Sequence, residues 1–271
     1  MWSLRASGVF PGDGPQAGAE PGEVVTAPAS PPRPARLPAA ASCAAPPSPG
    51  PCLGFGKPQK QPQPGQLLSK DFSQINSLCK VPALKDGDFI LSESTAILIY
   101  LSCKYPTADH WYPSNVQARA RIHEYLGWHA DCVRGTFGAP LWIQVLAPLI
   151  GVHLPEEKVQ RNRAAIDRAL QQLEDKFLRD QAFLTGQDVT LADLMALEEL
   201  IQPVAVGFDL FEGRPKLAAW RERLEAFLGT DLCQETHGLI LNILEQAANK
   251  KIPDPAPEIY PYMLLRISRI P

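Results

Sequence analysis

The segment from Lys80 to Ser94 holds residues whose types and order suit the binding of a peptide-like ligand with a free carboxylate. A short apolar run reaches Pro82, beside which the backbone can hold an extended ligand as an added strand. The chain then turns at Asp86-Gly87 and returns through a second apolar run to Ser-Glu-Ser. A helix that begins at Ser94 presents free backbone N–H groups and the positive end of its dipole, and both attract a carboxylate.

A β-hairpin must hold these groups in place. The Asp-Gly pair between apolar runs predicts one, because glycine supplies the positive φ that a tight turn needs. We expect strands over 81–84 and 88–91. A short helix or turn is predicted before them over 70–78, and a helix after them over 94–105.

The remainder of the chain has the periodicity of helices. Apolar residues recur at three- and four-residue steps over 116–137 and over 156–178. Thr190 and Asp193 have the spacing of a capping box, and the nearly all-apolar helix that follows belongs in the centre of a bundle. Further helices are predicted over 215–228, 231–249 and 262–267.

From Gly65 to Pro271 the sequence resembles the theta class of the cytosolic glutathione S-transferases. Besides the hairpin and helix start, the resemblance rests on Phe72 to Asn76 (FSQIN), Tyr100 to Tyr112 (YLSCKYPTADHWY), Gln117 to Arg121 (QARAR) and Val189 to Leu194 (VTLADL). It implies an α+β fold, in which an incomplete thioredoxin-like N-terminal domain over 65–110 precedes an all-α glutathione-transferase C-terminal domain over 111–271. In this class the C-terminal tail folds over the substrate pocket.

Residues 1–64 differ in composition from the rest and hold fifteen of the 28 prolines. Such a segment buries too little apolar surface to offset its ordering entropy, so we expect it to be disordered. A ligand for an SH3 or WW domain around Pro31–Pro34 or Pro46–Pro49 is the other hypothesis.

The resemblance implies a set of glutathione contacts in the hairpin. The Val81 main chain would pair with the cysteinyl backbone of glutathione beside a cis-proline at Pro82, and Lys80 would lie next to it. Glu93 and Ser94 would receive the γ-glutamyl end. Simpler interpretations stay open, since Pro82 can be a turn residue, Ser94 a helix cap and Glu93 a favourable first-turn charge.

The group that activates the glutathione sulfur is not found. The class carries it as a serine in a Ser-Gln-Pro-x-Arg-Ala motif after the first strand, and this motif does not occur here. Leu67-Leu68 stands where a histidine–lysine pair is expected. We therefore assign no catalytic residue, and we expect the first β-α-β unit to be missing, which would leave a two-stranded ribbon with an open edge.

The resemblance places Arg134 and Trp142 in the pocket for the second substrate, where a cation can steady a thiolate or a departing anion. Asp131 is a candidate for contact with the glutathione of a partner subunit. A surface arginine and a core tryptophan are the alternatives. We predict no metal site and no cofactor, glutathione being a co-substrate, and we interpret His110, His153 and His237 as structural.

Composition excludes other classes of function. With a net charge of −3 and a pI of about 6.0, nothing points to binding of nucleic acid or of an anionic membrane surface. The longest apolar stretch, 141–154, is interrupted by Gln144 and Pro148 and is too short to span a bilayer. Six cysteines without a CxxC pair predict a reduced, cytosolic protein.

Three hypotheses of function follow. The first is a theta-class transferase that conjugates glutathione to small hydrophobic electrophiles (alkyl halides, sulfate esters, peroxides) in detoxification and forms a homodimer, with activity impaired by the missing serine. The second is a catalytically inactive binding or dimerisation module. The third is that residues 1–64 replace the natural beginning of the protein only in the gene model.

Overall fold

The computed structural model describes residues 70–77, 80–105 and 107–270. The expected disorder of residues 1–64 and the Pro-rich ligand hypothesis lie outside these residues. The described chain is mainly helical, with one small sheet near its beginning.

The first part of the described chain contains helix α1 (Lys70–Ile75), strands β1 (Ala83–Asp86) and β2 (Phe89–Ser92) and helix α2 (Ser94–Lys104). The strands form a two-stranded antiparallel sheet in which Leu84 pairs with Leu91 and Asp86 with Phe89. The hairpin and the helix start at Ser94 are therefore confirmed.

The predicted strand bounds and turn are wrong by one or two residues. Gly87 and Asp88, rather than Asp86 and Gly87, form the turn, and Gly87 has a φ of 62° at its first central position. The first strand starts after Pro82, because proline has no N–H group to donate to a ladder.

The second part of the described chain is built from helices. They are α3 (Val116–Trp128), α4 (Arg134–Phe137), α5 (Ala139–Leu141), α6 (Glu156–Gln172), α7 (Leu191–Ala205), α8 (Pro215–Leu228), α9 (Thr230–Leu241), α10 (Ile243–Ala248) and α11 (Tyr260–Ser268). Short 3₁₀ turns lie at Asp109–Trp111, Pro148–Ile150 and Pro257–Ile259.

Three π-helical turns extend helices that the sequence predicts as regular. They cover His129–Val133, Trp142–Leu146 and Leu173–Leu178. In the first, the Arg134 N–H bonds to the carbonyl of His129, five residues earlier, so the chain accommodates one extra residue. Such turns are rare and concentrate at functional sites, and the spacing of apolar residues does not reveal them.

The predicted helix over 231–249 is two helices. It breaks at Asn242, whose side-chain amide donates to the Gly238 carbonyl at 2.9 Å. Asparagine competes in this way for backbone groups within a helix, which explains the break.

Helix α7 lies at the centre of the core. It packs against α2, α3, α4, α5 and α9, and most of its side chains are buried. Its start is fixed by the predicted capping box, which is confirmed: the Thr190 N–H donates to Asp193 Oδ2 at 2.9 Å, and the Thr190 hydroxyl accepts from the Ala192 N–H. The core around α7 also includes the fully buried Trp220, Tyr125 and Phe137.

The Asp193 carboxylate does more than cap. Its Oδ1 accepts from the Leu184 N–H and from the Trp220 indole N–H, each at 2.9 Å, while Oδ2 faces Thr190. Burial raises the pKa of Asp193, against the opposing effect of these hydrogen bonds. One carboxylate thus joins the start of α7 to α8 and to the loop before α7.

We expect Asp193→Ala to lower the free energy of unfolding more than Asp193→Asn. The alanine leaves every one of these buried donors unpaired, whereas the asparagine keeps an oxygen for Leu184 and Trp220. Urea unfolding should show a loss of roughly 2–4 kcal/mol for Asp193→Asn and a larger loss for Asp193→Ala. The exposed Asp188→Asn is the control and should stay near wild type; an equal loss in all three variants would contradict this role of Asp193.

Candidate functional site

The segment before β1 lies at the surface. The Val81–Pro82 peptide bond is cis, as the resemblance implies, and Val81 is 50% exposed. The Asn76 side-chain amide donates to the Lys80 carbonyl at 2.7 Å and so ties this segment to the end of α1. Lys80, Val81 and Pro82 therefore lie together at the surface, immediately before the first strand.

The start of α2 has an unusual backbone. Glu93 occupies the cap position with a φ of 73°, a region that side chains other than glycine rarely adopt, and its own side chain makes no capping hydrogen bond. Ser94 is the first helical residue, so the interpretation of Ser94 as the cap is wrong. A non-glycine residue at positive φ costs roughly 1–3 kcal/mol and is typical of ligand-binding positions.

Arg134 brings the hairpin region and the helical core together. Its Nη1 donates to Ser94 Oγ at 3.3 Å and to Glu199 Oε1 at 3.2 Å. The other oxygen of Glu199 accepts from Gln202 Nε2 at 2.7 Å. Burial raises the pKa of the Glu199 carboxyl, while the positive charge of Arg134 opposes that shift.

Asp86 braces the hairpin against α2. It accepts a hydrogen bond from the Tyr100 hydroxyl at 2.5 Å and pairs with the ammonium group of Lys104. These hydrogen bonds lower the pKa of Asp86. The Phe89 ring also lies against Tyr100, with 5.1 Å between ring centroids.

A cavity of about 110 Å³ lies between the end of the bundle and α11. Asp131 and Trp142 line it from the helical core, and Arg266 and Arg269 from the C-terminal segment. The Lys158 ammonium donates to the Ile270 carbonyl at 3.1 Å and holds that segment in place. The cavity therefore combines a half-buried aromatic ring, two guanidinium groups and one carboxylate.

The two residues predicted for the second substrate, Arg134 and Trp142, and the predicted cross-subunit residue Asp131 fall into two neighbouring groups. Trp142 and Asp131 line the cavity, whereas Arg134 turns toward Ser94 and Glu199. The two groups are linked electrostatically, because the charge of Arg266 also acts on Glu199.

Sequence reasoning missed Glu199, Gln202, Arg266 and Arg269. A signal existed for Glu199, because a carboxylate within a nearly all-apolar helix must find a partner when it is buried. For Arg266 and Arg269 the sequence holds no comparable signal, since arginines at the end of a chain are usually solvated.

The other candidate groups have structural partners. His110 Nδ1 lies 2.6 Å from the Val189 carbonyl, and His237 Nε2 lies 3.1 Å from Glu198 Oε1. Burial raises the pKa of the Cys132 and Cys233 thiols, which disfavours the reactive thiolate. Within the described residues no His, Cys, Asp and Glu side chains cluster as a metal site. None of the helices described is both long enough and apolar enough to cross a membrane.

Comparisons with known proteins agree with the resemblance. Residues 59–102 match the family model for the glutathione S-transferase N-terminal domain, and residues 139–226 match the model for the C-terminal domain. Human glutathione S-transferase theta-2B is 75% identical over 207 residues, which cover 76% of this chain and 85% of that protein.

Two solved structures have the same fold as the described chain. Human glutathione transferase theta-2 in complex with glutathione and an unknown ligand is 74% identical, with a TM-score of 0.75 over 76% of this chain and 85% of the other. A human theta-class transferase in complex with the glutathione conjugate of 1-menaphthyl sulfate is also 74% identical, with a TM-score of 0.75 over 77% of this chain and 85% of the other. The predicted fold, a short thioredoxin-like piece before a helical domain, is thus confirmed.

We expect Asp86→Asn to loosen the hairpin. The substitution removes the charge that attracts Lys104, so β1 and β2 should open more often. Hydrogen exchange of the amides in 83–92 should accelerate by roughly two- to fivefold. The control is Asp88→Asn in the exposed turn, which has no such partner among the described contacts; equal acceleration in both variants would contradict the brace.

His129 should make stability depend on pH. Its side chain is 1% exposed, its Nε2 has no partner among the described residues, and burial, assisted by the charge of Arg134, lowers its pKa from 6.5 to about 4. The unfolded chain therefore takes up a proton first as the pH falls. The stabilisation by neutral His129 is complete above pH 6.5 and is lost between 6.5 and about 4.

Urea unfolding of His129→Gln should show a pH dependence that is smaller by roughly 2–3 kcal/mol over this interval. His123→Gln is the control, since His123 lies exposed on α3 and bonds to the Tyr112 hydroxyl at 2.7 Å. If both variants keep the wild-type pH dependence, His129 is not its source.

Proposed function

Because this chain belongs to the theta class of the glutathione S-transferases, we propose that it binds glutathione as a co-substrate and presents it to small hydrophobic electrophiles. The observation that carries the proposal is the contact of Arg134 with Ser94. It joins the start of α2, where an anion is favoured, to the residues beside the cavity. The binding residues and the pocket residues of the proposal thus meet at one place.

Two parts of glutathione, the cysteinyl backbone and the γ-glutamyl end, have partners in this proposal. The main chain of Val81, exposed beside the cis Pro82, pairs with the cysteinyl backbone, and Lys80 lies next to it. Glu93 and Ser94 receive the γ-glutamyl end, where the free N–H groups of α2 favour its carboxylate. The backbone conformation of Glu93 supports a role in binding.

The cavity beside Trp142 suits the second substrate. An aromatic ring offers an apolar contact, and Arg266 and Arg269 supply positive charge in the cavity. In this proposal Arg134, which contacts Ser94 and Glu199, adds its charge from the neighbouring group. In a displacement, the glutathione thiol releases its proton to water, the sulfur attacks the electrophilic carbon with its electron pair, a C–S bond forms, and a halide or sulfate departs with the electrons of the broken bond. Guanidinium groups stabilise that anion. The relative solved with a conjugate of 1-menaphthyl sulfate supports sulfate esters as one class of substrate.

Activation of the thiol is the step to which we assign no residue. The Ser-Gln-Pro-x-Arg-Ala motif is absent from the sequence, and no described side chain takes that role in the proposal. Binding of glutathione and its conjugation are therefore separable, and we expect the chain as written to bind better than it catalyses.

The family resemblance also implies an oligomeric state and a cellular location for the chain. We propose a homodimer in the cytosol, with Asp131 the candidate for contact across the subunits. We also propose that the chain is organised in three parts, residues 1–64, 65–110 and 111–271.

Calorimetry should detect glutathione binding by the purified full chain, and hydrogen exchange in the same sample should slow over 80–105. Ser94→Ala should weaken binding by about tenfold, because a hydrogen bond to a charged group is lost. Ser102→Ala near the other end of α2 is the matched control and should bind as wild type. Absence of binding, with unchanged exchange over 80–105, would contradict the proposal.

A conjugation assay with an alkyl halide and with a sulfate ester, run on the same sample, separates catalysis from binding. We expect turnover far below that of a theta-class relative that carries the serine motif. Turnover equal to that of such a relative would show that another group activates the thiol.

A further inference from the structure

Arg134 connects two parts of the chain that lie far apart in sequence. Its Nη1 atom carries two hydrogens, so it can donate to Ser94 Oγ and to Glu199 Oε1 at the same time. Ser94 is the first residue of α2, whereas Glu199 lies in the middle of α7. The guanidinium group therefore spans from the proposed glutathione site to the centre of the bundle.

The start of α2 cannot by itself hold Arg134. The positive end of the helix dipole disfavours a nearby cation, and the Arg134 side chain is 44% exposed, so water competes for it. The Glu199 side chain is only 8% exposed. A buried carboxylate without its cation is costly, which makes Glu199 the anchor that keeps Arg134 in place.

Glu199 is itself held in one orientation. Its second oxygen accepts from Gln202 Nε2 at 2.7 Å, one turn further along α7. A Cβ added at Gly138 would lie 3.2 Å from Gln202 Oε1, so the chain between α4 and α5 confines Gln202 on its other side. A carboxylate fixed in this way sets the direction in which the guanidinium group points.

The contact also prepares Ser94 for an anion. Because Ser94 Oγ accepts from Arg134, its hydroxyl hydrogen can be donated to a ligand carboxylate at the start of α2. A hydroxyl whose oxygen faces a cation is a stronger donor, since successive hydrogen bonds polarise one another.

We propose that Glu199 is a positioning residue for glutathione: it holds the Arg134 guanidinium group against Ser94, and through Ser94 it strengthens recognition of the γ-glutamyl carboxylate. The inference rests on the proposed function, because that carboxylate belongs to glutathione. Glu199 touches no part of the ligand and acts only through Arg134.

The test compares Glu199→Gln with Glu198→Gln. The two residues are neighbours on α7, but Glu198 is exposed and pairs with His237 instead of Arg134. Calorimetry should show glutathione bound about tenfold more weakly by Glu199→Gln and within about twofold of wild type by Glu198→Gln. The loss should not add to that of Ser94→Ala in the double variant, because both substitutions break the same chain of contacts.

A second ligand separates positioning from general damage. Glutathione with its γ-glutamyl α-carboxylate converted to an amide should bind wild type and Glu199→Gln with affinities within about twofold of each other. Equal weakening toward both ligands, or unchanged or tighter binding of glutathione by Glu199→Gln, would overturn the inference.

A measurement without ligand distinguishes this inference from the proposed function. The guanidinium N–H signals of Arg134, assigned with Arg134→Lys, should be observed by NMR in wild type and in Glu198→Gln and should broaden or vanish in Glu199→Gln. If wild type binds no glutathione, the proposed function fails, and these signals still decide whether Glu199 fixes Arg134. Signals that are unchanged in Glu199→Gln would refute the positioning role.

Discussion

The buried carboxylate of Asp193 is the interaction on which the rest of the structure depends. It fixes the first turn of α7 and ties it to Trp220 of α8 and to the loop at Leu184. Helix α7 is buried on nearly all sides, so its position and rotation set those of the helices around it. Glu199 lies on the same helix, six residues further along. The positions of Glu199 and of its partner Arg134 therefore depend on the hydrogen bonds that Asp193 makes inside the core.

Three structural elements contribute to the candidate site. The hairpin supplies open backbone at Val81, α2 supplies a helix start at Ser94, and the bundle supplies charge through Arg134. The π turn before Arg134 adds one residue to its helix just ahead of this arginine. The π turn before Arg134 and the positive φ of Glu93 thus both occur where the hairpin region meets the bundle. At both positions the backbone departs from regular geometry, as is typical of functional sites.

The sequence was sufficient for the existence of most elements and for the helix start at Ser94. Asp-Gly predicted the hairpin, and Thr190 with Asp193 predicted the start of the central helix, because both signals act within a few residues. The strand bounds were displaced because Pro82 cannot join a ladder. The π turns and the contact of Arg134 with Glu199 could not be foreseen, since they depend on how helices pack and not on spacing along the chain. The assignment of Lys80, Val81, Pro82, Glu93 and Ser94 to glutathione came from family resemblance and stays a prediction.

The contacts of Asp86 with Tyr100 and Lys104 join residues that are close in sequence, unlike the contact of Arg134 with Glu199. Asp86 reaches Tyr100 across 14 positions and Lys104 across 18, whereas Arg134 reaches Glu199 across 65. Closing the longer loop costs about 1 kcal/mol more in chain entropy than closing the shorter one. The hairpin with α2 is thus a unit of low contact order, and we expect the bond from Arg134 to Ser94, which spans 40 positions, to form after the bundle that positions Arg134 has assembled. The start of α2 is made by contacts that are local in sequence, whereas Ser94 gains its contact with Arg134 only when the two parts meet.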